Sequence, residues 1–435
     1  MATNDNSRYN GVMSKPYVTL LGKAVLTIAR LRGGGSALPG LFVEKIDPDF
    51  IRRTLAQLPD GVVVVSGTNG KTTTTKMVVA LLESQGLKVF TNRTGSNFTR
   101  GVAAALLGEI DAKGKLDADI AVLELDEAHA VHFVKIIAPR FCLLLNVMRD
   151  QLDRFGEIDT TAKLLAKIAI ATTEGVVLNR EDRRVAAIAK LMGTQRVTYF
   201  GLASELTSLF PSDDAMRDPK KTTASQIQAD VVLSKLNGNE AQFTIDDHVV
   251  TTSLELQGIY NIYNAAAALA LVRTIVDDGL DETRLIEALS RVTPAFGRGE
   301  TLTVGGQPLE LVLVKNPSGF RLSLASFPPE AYSTMIAIND NYADGRDMSW
   351  LWDVEFDSLR EQGVTMVSGM RAYDMALRLQ YEEVAVLDVQ PNVSEALQQF
   401  ISTSADQPKR IYCTYTAMLA LRQELAKITN VEVIV

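Results

Sequence analysis

The stretch GVVVVSGTNGKTTTTK (61–76) constrains this chain more than any other. Four consecutive valines read as a strand buried on both faces. A loop containing two glycines follows, then a lysine, hydroxyl residues and an apolar helical pattern running to Gly86. Backbone N–H groups at the start of such a helix favour negative charge, and glycines let the backbone come close to a ligand. Gly67, Thr68, Asn69, Gly70, Lys71, Thr72 and Thr73 are therefore expected to hold the phosphates of a nucleotide. Lys71 would reach the β- and γ-phosphates, and the Thr72 hydroxyl would ligate Mg²⁺. The spacing is GxxGKT, shorter than the commoner GxxxxGK[ST].

The strand–helix alternation continues. KVFTNRTG (88–95), IAVLELDEA (120–128) and RFCLLLNVM (140–148) read as further strands. Alternating strands and helices imply an α/β fold, a parallel sheet covered on both faces. Acids at the strand end in LELDEAH, Glu124 with Asp126 or Glu127, suit Mg²⁺, which prefers hard oxygen ligands. Asp150, Gln151 and Asp153 end another strand at the same edge. VVLSKLNGNEAQFTIDDHVVTTSLEL (231–256) alternates, with turns at Asn-Gly and Asp-Asp, and reads as antiparallel strands. NIYNAAAALALVRTIVDD (261–278) is a strong helix. Pro and Gly in TPAFGRGE (293–300) mark a boundary, and strands at 309–315, 332–340, 363–369 and 383–388 begin a second α/β unit. The expected division is an N-terminal helical segment and loop (1–49), a central ATP-binding domain (50–298) with an excursion near 205–228, and a smaller C-terminal α/β domain (299–435).

Composition narrows the function. A net charge of −8 argues against a nucleic-acid binder, which needs clustered Lys and Arg. The two cysteines, Cys142 and Cys413, lie far apart in apolar stretches and read as buried cytosolic thiols, so zinc is not expected. YVTLLGKAVLTIARL (17–31) is interrupted by Lys23 and Arg30 and is too short to span a bilayer. It reads as a helix on the protein's own core, or as one resting on a membrane surface or a partner. RGGGSALPG (32–40) after it reads as a loop.

GTNGKT (67–72), Glu124, the N…RDQLDR segment from Asn146, LNRED (178–182), GIYNIYNAAAA (258–268) and GRGE (297–300) together resemble the Mur ligase family, in that family's order. The resemblance implies ATP and Mg²⁺ as cofactors. It puts Lys71 and Thr72 at phosphate and metal, Glu124 on Mg²⁺, Asn261 and Asn264 near the adenine, and Arg298 at a hinge. Gln151 stands where the usual ligases carry a metal-binding histidine. About 60 residues precede the loop, too few for the N-terminal UDP-binding domain of the usual Mur ligases.

LVKNPSGF (313–320), INDNYADGRDMSWLWDVEF (338–356) and TNRTGSNFTRG (91–101) are similar to the MurT family within this group. That resemblance implies ATP-dependent amidation of the D-glutamate α-carboxylate in lipid II, at the inner face of the cell membrane. It also implies a heterodimer with a GatD-like glutaminase that supplies ammonia, an aspartate of this chain completing the partner's Cys–His pair. The candidates are Asp344, Asp347 and Asp353, with Asp347 favoured and Asp353 second. All three also suit ordinary loop capping. Trp350 and Trp352 alternate as in a strand and could anchor a partner. Competing functions are a folate- or cell-wall-type amino-acid ligase and a nucleotide-binding assembly subunit without catalysis.

Overall fold

The computed structural model describes residues 16–31, 37–92, 97–149, 158–210, 225–256, 258–277, 279–293, 298–327 and 329–431. Before the first strand come three helices, α1 (Pro16–Leu31), α2 (Ala37–Ile46) and α3 (Phe50–Leu55). The loop expected over 32–40 thus ends early, because Ala37–Gly40 forms the first turn of α2. The central unit then runs β1 (Val62–Ser66), α4 (Lys71–Ser84), β2 (Val89–Thr91), α5 (Thr99–Glu109), β3 (Ile120–Glu124), α6 (Glu127–Phe133), β4 (Phe141–Leu144), α7 (Ile158–Ala171), β5 (Gly175–Asn179), α8 (Arg183–Ala186) and β6 (Arg196–Leu202). It closes with β7 (Val231–Asn237), β8 (Glu240–Ile245), β9 (His248–Ser253), α9 (Ile259–Val276) and α10 (Glu282–Ser290).

These strands form one sheet in the order β2-β3-β1-β4-β5-β6-β7-β8-β9. It is parallel from β2 to β7 and antiparallel through β8 and β9. Asp246 and Asp247 both take positive φ in the β8–β9 turn, as a tight hairpin requires. Alternate residues of β1 serve opposite cores. Val63 and Val65 face α4, α9 and α10, while Val62 and Val64 face α1–α3 and α5–α7. Among the described residues α9 is the one helix long and apolar enough to cross a membrane; it is mostly buried and packs on α4, β5, β6 and β7.

The second unit comprises β10 (Arg298–Val304), β11 (Gln307–Leu313), α11 (Pro317–Ser326), β12 (Ser333–Ala337), β13 (Val364–Ser368), α12 (Ala372–Tyr381), β14 (Val386–Gln390), α13 (Val393–Thr403), β15 (Lys409–Cys413) and α14 (Tyr415–Leu425). Its sheet order is β10-β11-β15-β12-β13-β14, parallel except for the β10–β11 hairpin. Trp350 and Trp352 do not lie in a strand; they sit in a 3₁₀ turn (Ser349–Asp353). The turn buries Trp350 against Phe320 and leaves Trp352 half exposed beside Tyr381.

The N-terminal helices dock closely. A Cβ at Gly40 of α2 would stand 1.9 Å from the Arg100 carbonyl oxygen of α5. Replacing Gly40 with Leu is expected to push α2 off α5 and cost about 1–3 kcal/mol, read as a lower urea midpoint at unchanged m-value.

Candidate active site

The loop between β1 and α4 is held in shape by polar contacts from neighbouring strand ends. Gly67 and Gly70 have φ of 135° and 89°, and a Cβ at Gly70 would stand 2.8 Å from Asn264 Oδ1. Glycine is required at both by conformation and by space. Asn146, just past β4, brackets Asn69: its Oδ1 accepts from the Asn69 N–H at 2.9 Å and its Nδ2 donates to the Asn69 carbonyl at 3.0 Å. The Thr68 hydroxyl accepts from the Met148 N–H at 3.0 Å. Asp182, buried at the start of α8, accepts from the Val147 N–H at 2.6 Å, and burial raises its pKa.

Lys71 opens α4 and is nearly fully buried. Its Nζ donates to Gly67 O at 2.6 Å and Thr68 O at 3.3 Å and pairs with Asp126 Oδ1 at 3.2 Å. Beside it, Thr72 Oγ1 donates to Glu124 Oε1 at 2.8 Å. Asn97 Nδ2 donates to the same oxygen at 2.8 Å, and Asn92 clamps the Glu124 backbone at both N–H and carbonyl. Glu124 is buried with its oxygens among hydroxyl and amide groups at the carboxyl edge of β3, the edge where α/β sheets bind ligands.

The donor set fits Mg²⁺. Thr72 and Glu124 present hard oxygens, and Asn97 Oδ1 next to them is buried without a hydrogen-bond partner. Among the described residues no cluster of three His, Cys, Asp or Glu could form a closed metal cage. Mg²⁺ needs none, since it keeps several waters and takes one or two protein carboxylates. Gln151 lies outside the described residues, as do Asp150 and Asp153.

The structure brings Gly67–Thr73, Glu124, Asp126 and Asn264 together. Asn264 lies against Gly70, with Asn261 one turn earlier on α9. Arg298 is the first residue of β10, where the two units join. Glu127 is buried in the first turn of α6. Sequence reasoning gave no role to Asn316, whose side chain is fully buried. It caps α11 by accepting from the Gly319 N–H at 2.6 Å, and its Nδ2 donates to Asn69 Oδ1 at 3.1 Å, tying the second unit to the loop between β1 and α4. The signal available was Asn-Pro at a helix start, a capping residue followed by proline at the first helical position.

The three aspartates of the C-terminal loop separate by environment. Asp344 is buried and accepts from the Thr416 N–H (2.7 Å) and hydroxyl (2.5 Å) at the start of α14; burial raises its pKa. Asp353 pairs with Arg149 at 3.1 Å, across the junction. Asp347 is partly exposed and accepts from the Ser349 N–H at 2.9 Å, and hydrogen bonds from Ser349 hold its carboxyl below the usual range. Both cysteines are buried, and burial pushes the Cys142 thiol up to about 12 and Cys413 higher still. Neither can serve as an exposed nucleophile at neutral pH.

Residues 65–272 match the Mur ligase middle domain and 313–418 the MurT ligase C-terminal domain. Among solved structures, the chain superposes on a pseudomurein peptide ligase type C from Methanothermus fervidus with a TM-score of 0.66, at 18% identity over 87% of this chain and 80% of that one. A MurF ligase from Thermotoga maritima, solved with ADP, gives 0.64 at 19% identity, over 88% of this chain and 84% of that one. The architecture is therefore that of the Mur ligases. The MurT subunit of a glutamine-hydrolysing lipid II isoglutaminyl synthase from Streptococcus pneumoniae is 32% identical over 94% of this chain and 96% of its own length. The chain belongs to the MurT family.

Asp344→Ala would strand the two Thr416 donors. The expected loss is about 1–3 kcal/mol of stability with the native circular dichroism spectrum retained, measured by urea unfolding.

Proposed function

We propose that this chain is the ligase subunit of a lipid II isoglutaminyl synthase, using ATP and Mg²⁺ to amidate the α-carboxylate of D-glutamate in the stem peptide. The observation that carries the reading is the Thr72–Glu124 contact at 2.8 Å beside the buried Lys71, at the carboxyl edge of a Mur ligase sheet. It is supported by a relative of that name matching nearly the whole chain. In this reading the central domain (50–298) holds ATP and the C-terminal domain (299–435) closes over it, joined through Asn69–Asn316 and Arg149–Asp353.

A carboxylate does not condense with ammonia in water, because its oxygen is a poor leaving group. The substrate carboxylate attacks the γ-phosphorus of ATP, the bridging bond to the β-phosphate breaks, and ADP leaves. Ammonia then attacks the carbonyl carbon of the acyl phosphate, inorganic phosphate departs with the C–O electron pair, and the amide remains after loss of a proton. The Lys71 ammonium and the N–H groups at the start of α4 stabilise the charge on the moving phosphoryl group. Mg²⁺, held by Thr72 and Glu124, would supply further neutralisation of phosphate oxygens. Gln151 would complete the metal surroundings, Asn261 and Asn264 would hold the base, and Arg298 would serve as the hinge.

Ammonia comes from a GatD-type glutaminase, since both cysteines here are buried. Asp347 is the aspartate best suited to orient that partner's histidine. It is ionised and partly exposed, whereas Asp344 is committed to α14 and Asp353 to Arg149. Such a complex works in the cytoplasm, where lipid II faces inward.

Mass spectrometry of a muramyl-peptide product, made by this chain with ATP and high ammonium, tests the reading directly. The acid must become the amide. Persistent acid, with or without the glutaminase and glutamine, would overturn it. Lys71→Ala is expected to lower the amidation rate by about 10²–10³-fold with the fold intact. Asp347→Asn should cut glutamine-driven amidation by about 10³–10⁴-fold and spare ammonium-driven amidation. Equal losses with both nitrogen sources would remove Asp347 from the partner's active site.

A further inference from the structure

Helix α1 carries one wide apolar arc, and the protein covers part of it. Its inner face packs on α2 and α5 through Val18, Gly22 and Ala29. A Cβ at Gly22 would stand 2.7 Å from Leu107 and 2.8 Å from Val43, so the approach is close. The outer face carries Tyr17, Leu20, Leu21, Ala24 and Ile28, positions that line one side of a helix with 3.6 residues per turn. Tyr17, Leu20, Leu21 and Ile28 are 60%, 57%, 50% and 50% exposed. An apolar arc this wide is normally covered across its width.

Charge indicates what covers the outer face. From Asn6 to Val43 the sequence carries Arg8, Lys15, Lys23, Arg30 and Arg32 and no acid, in a chain of net charge −8. Lys23 falls on one flank of the apolar stripe, and Arg30 follows it at a seven-residue spacing in the sequence. An apolar stripe bordered by cations suits a surface that is oily within and negative at its rim, which describes an anionic lipid bilayer. We infer that α1 lies in the interface of an anionic lipid bilayer, with Tyr17, Leu20, Leu21 and Ile28 entering the headgroup–acyl boundary. The binding is peripheral, because the stripe covers one side of a helix that the protein holds by the other. It also sets the orientation of the ligase site. α1 packs on α5, which begins two residues after Asn97, the donor to Glu124.

Co-sedimentation of the full chain with vesicles tests this without substrate, so the result stands apart from the amidation reading. Vesicles of phosphatidylcholine with phosphatidylglycerol are expected to carry the chain down, and phosphatidylcholine alone to carry down much less. The double variant Leu20→Glu/Ile28→Glu should partition about ten-fold or more weakly while unfolding at the same urea concentration. A Tyr17→Trp variant, which leaves the stripe apolar, should gain blue-shifted fluorescence on adding the anionic vesicles. No sedimentation, equal sedimentation of wild type and double variant, or an unshifted emission spectrum from the Tyr17→Trp variant would overturn the inference. So would a dimer, seen by light scattering without lipid and lost in the double variant, since a second copy would then cover the stripe.

Discussion

The geometry of the site depends on how one side chain, Asn69, is fixed. Its backbone is gripped at both the N–H and the carbonyl by Asn146, while its amide meets that of Asn316 in the second unit. Three segments far apart in sequence are thereby held in one register: the loop after β1, the end of β4 and the cap of α11. An amide pair supplies a donor and an acceptor on each side, so it satisfies both partners without placing a further charge in the loop that carries Lys71. The contact ties the loop that carries Lys71 to the C-terminal unit, which also meets the central unit through Arg149 and Asp353.

Much of the central sheet could be read from the chain because its strands are apolar runs ending in glycine or acids, as at Val62–Ser66 and Ile120–Glu124. Other elements hide for identifiable reasons. β15 reads KRIYC, and two leading cations disguise a fully buried strand. Burial is tolerated because Arg410 pairs with Glu310 at 2.7 Å and Lys409 donates to the Gln407 carbonyl at 2.8 Å. Glu310 lies on β11 and becomes the partner of Arg410 only once the two strands are paired. The Trp350–Trp352 alternation misleads because a 3₁₀ turn can also place residues two apart in different environments.

The same limit applies to the site. Lys71, Thr72 and Glu124 were legible because loop and strand-end chemistry is local. Asn316 was not, since its partner lies 247 residues away. The three loop aspartates look alike in sequence, and only their neighbours separate them. Thr416 draws Asp344 inward, Arg149 holds Asp353 at the junction, and Asp347 is partly exposed, bonded to the Ser349 N–H.

The contact between Lys71 and Asp126 has a consequence for how the site fills. The carboxylate acts as a resident anion, keeping the lysine and the loop in order before any nucleotide arrives, so little backbone freedom has to be lost on binding. On the proposed reading, an incoming triphosphate would compete with Asp126 for the ammonium while lying close to Glu124, another carboxylate. Triphosphate alone meets repulsion from both. Triphosphate carrying a divalent cation would meet less, because part of its charge is neutralised. On the function proposed above, the pair of acids would act as a filter of charge state, favouring nucleotide that arrives already neutralised in part and disfavouring a bare polyanion.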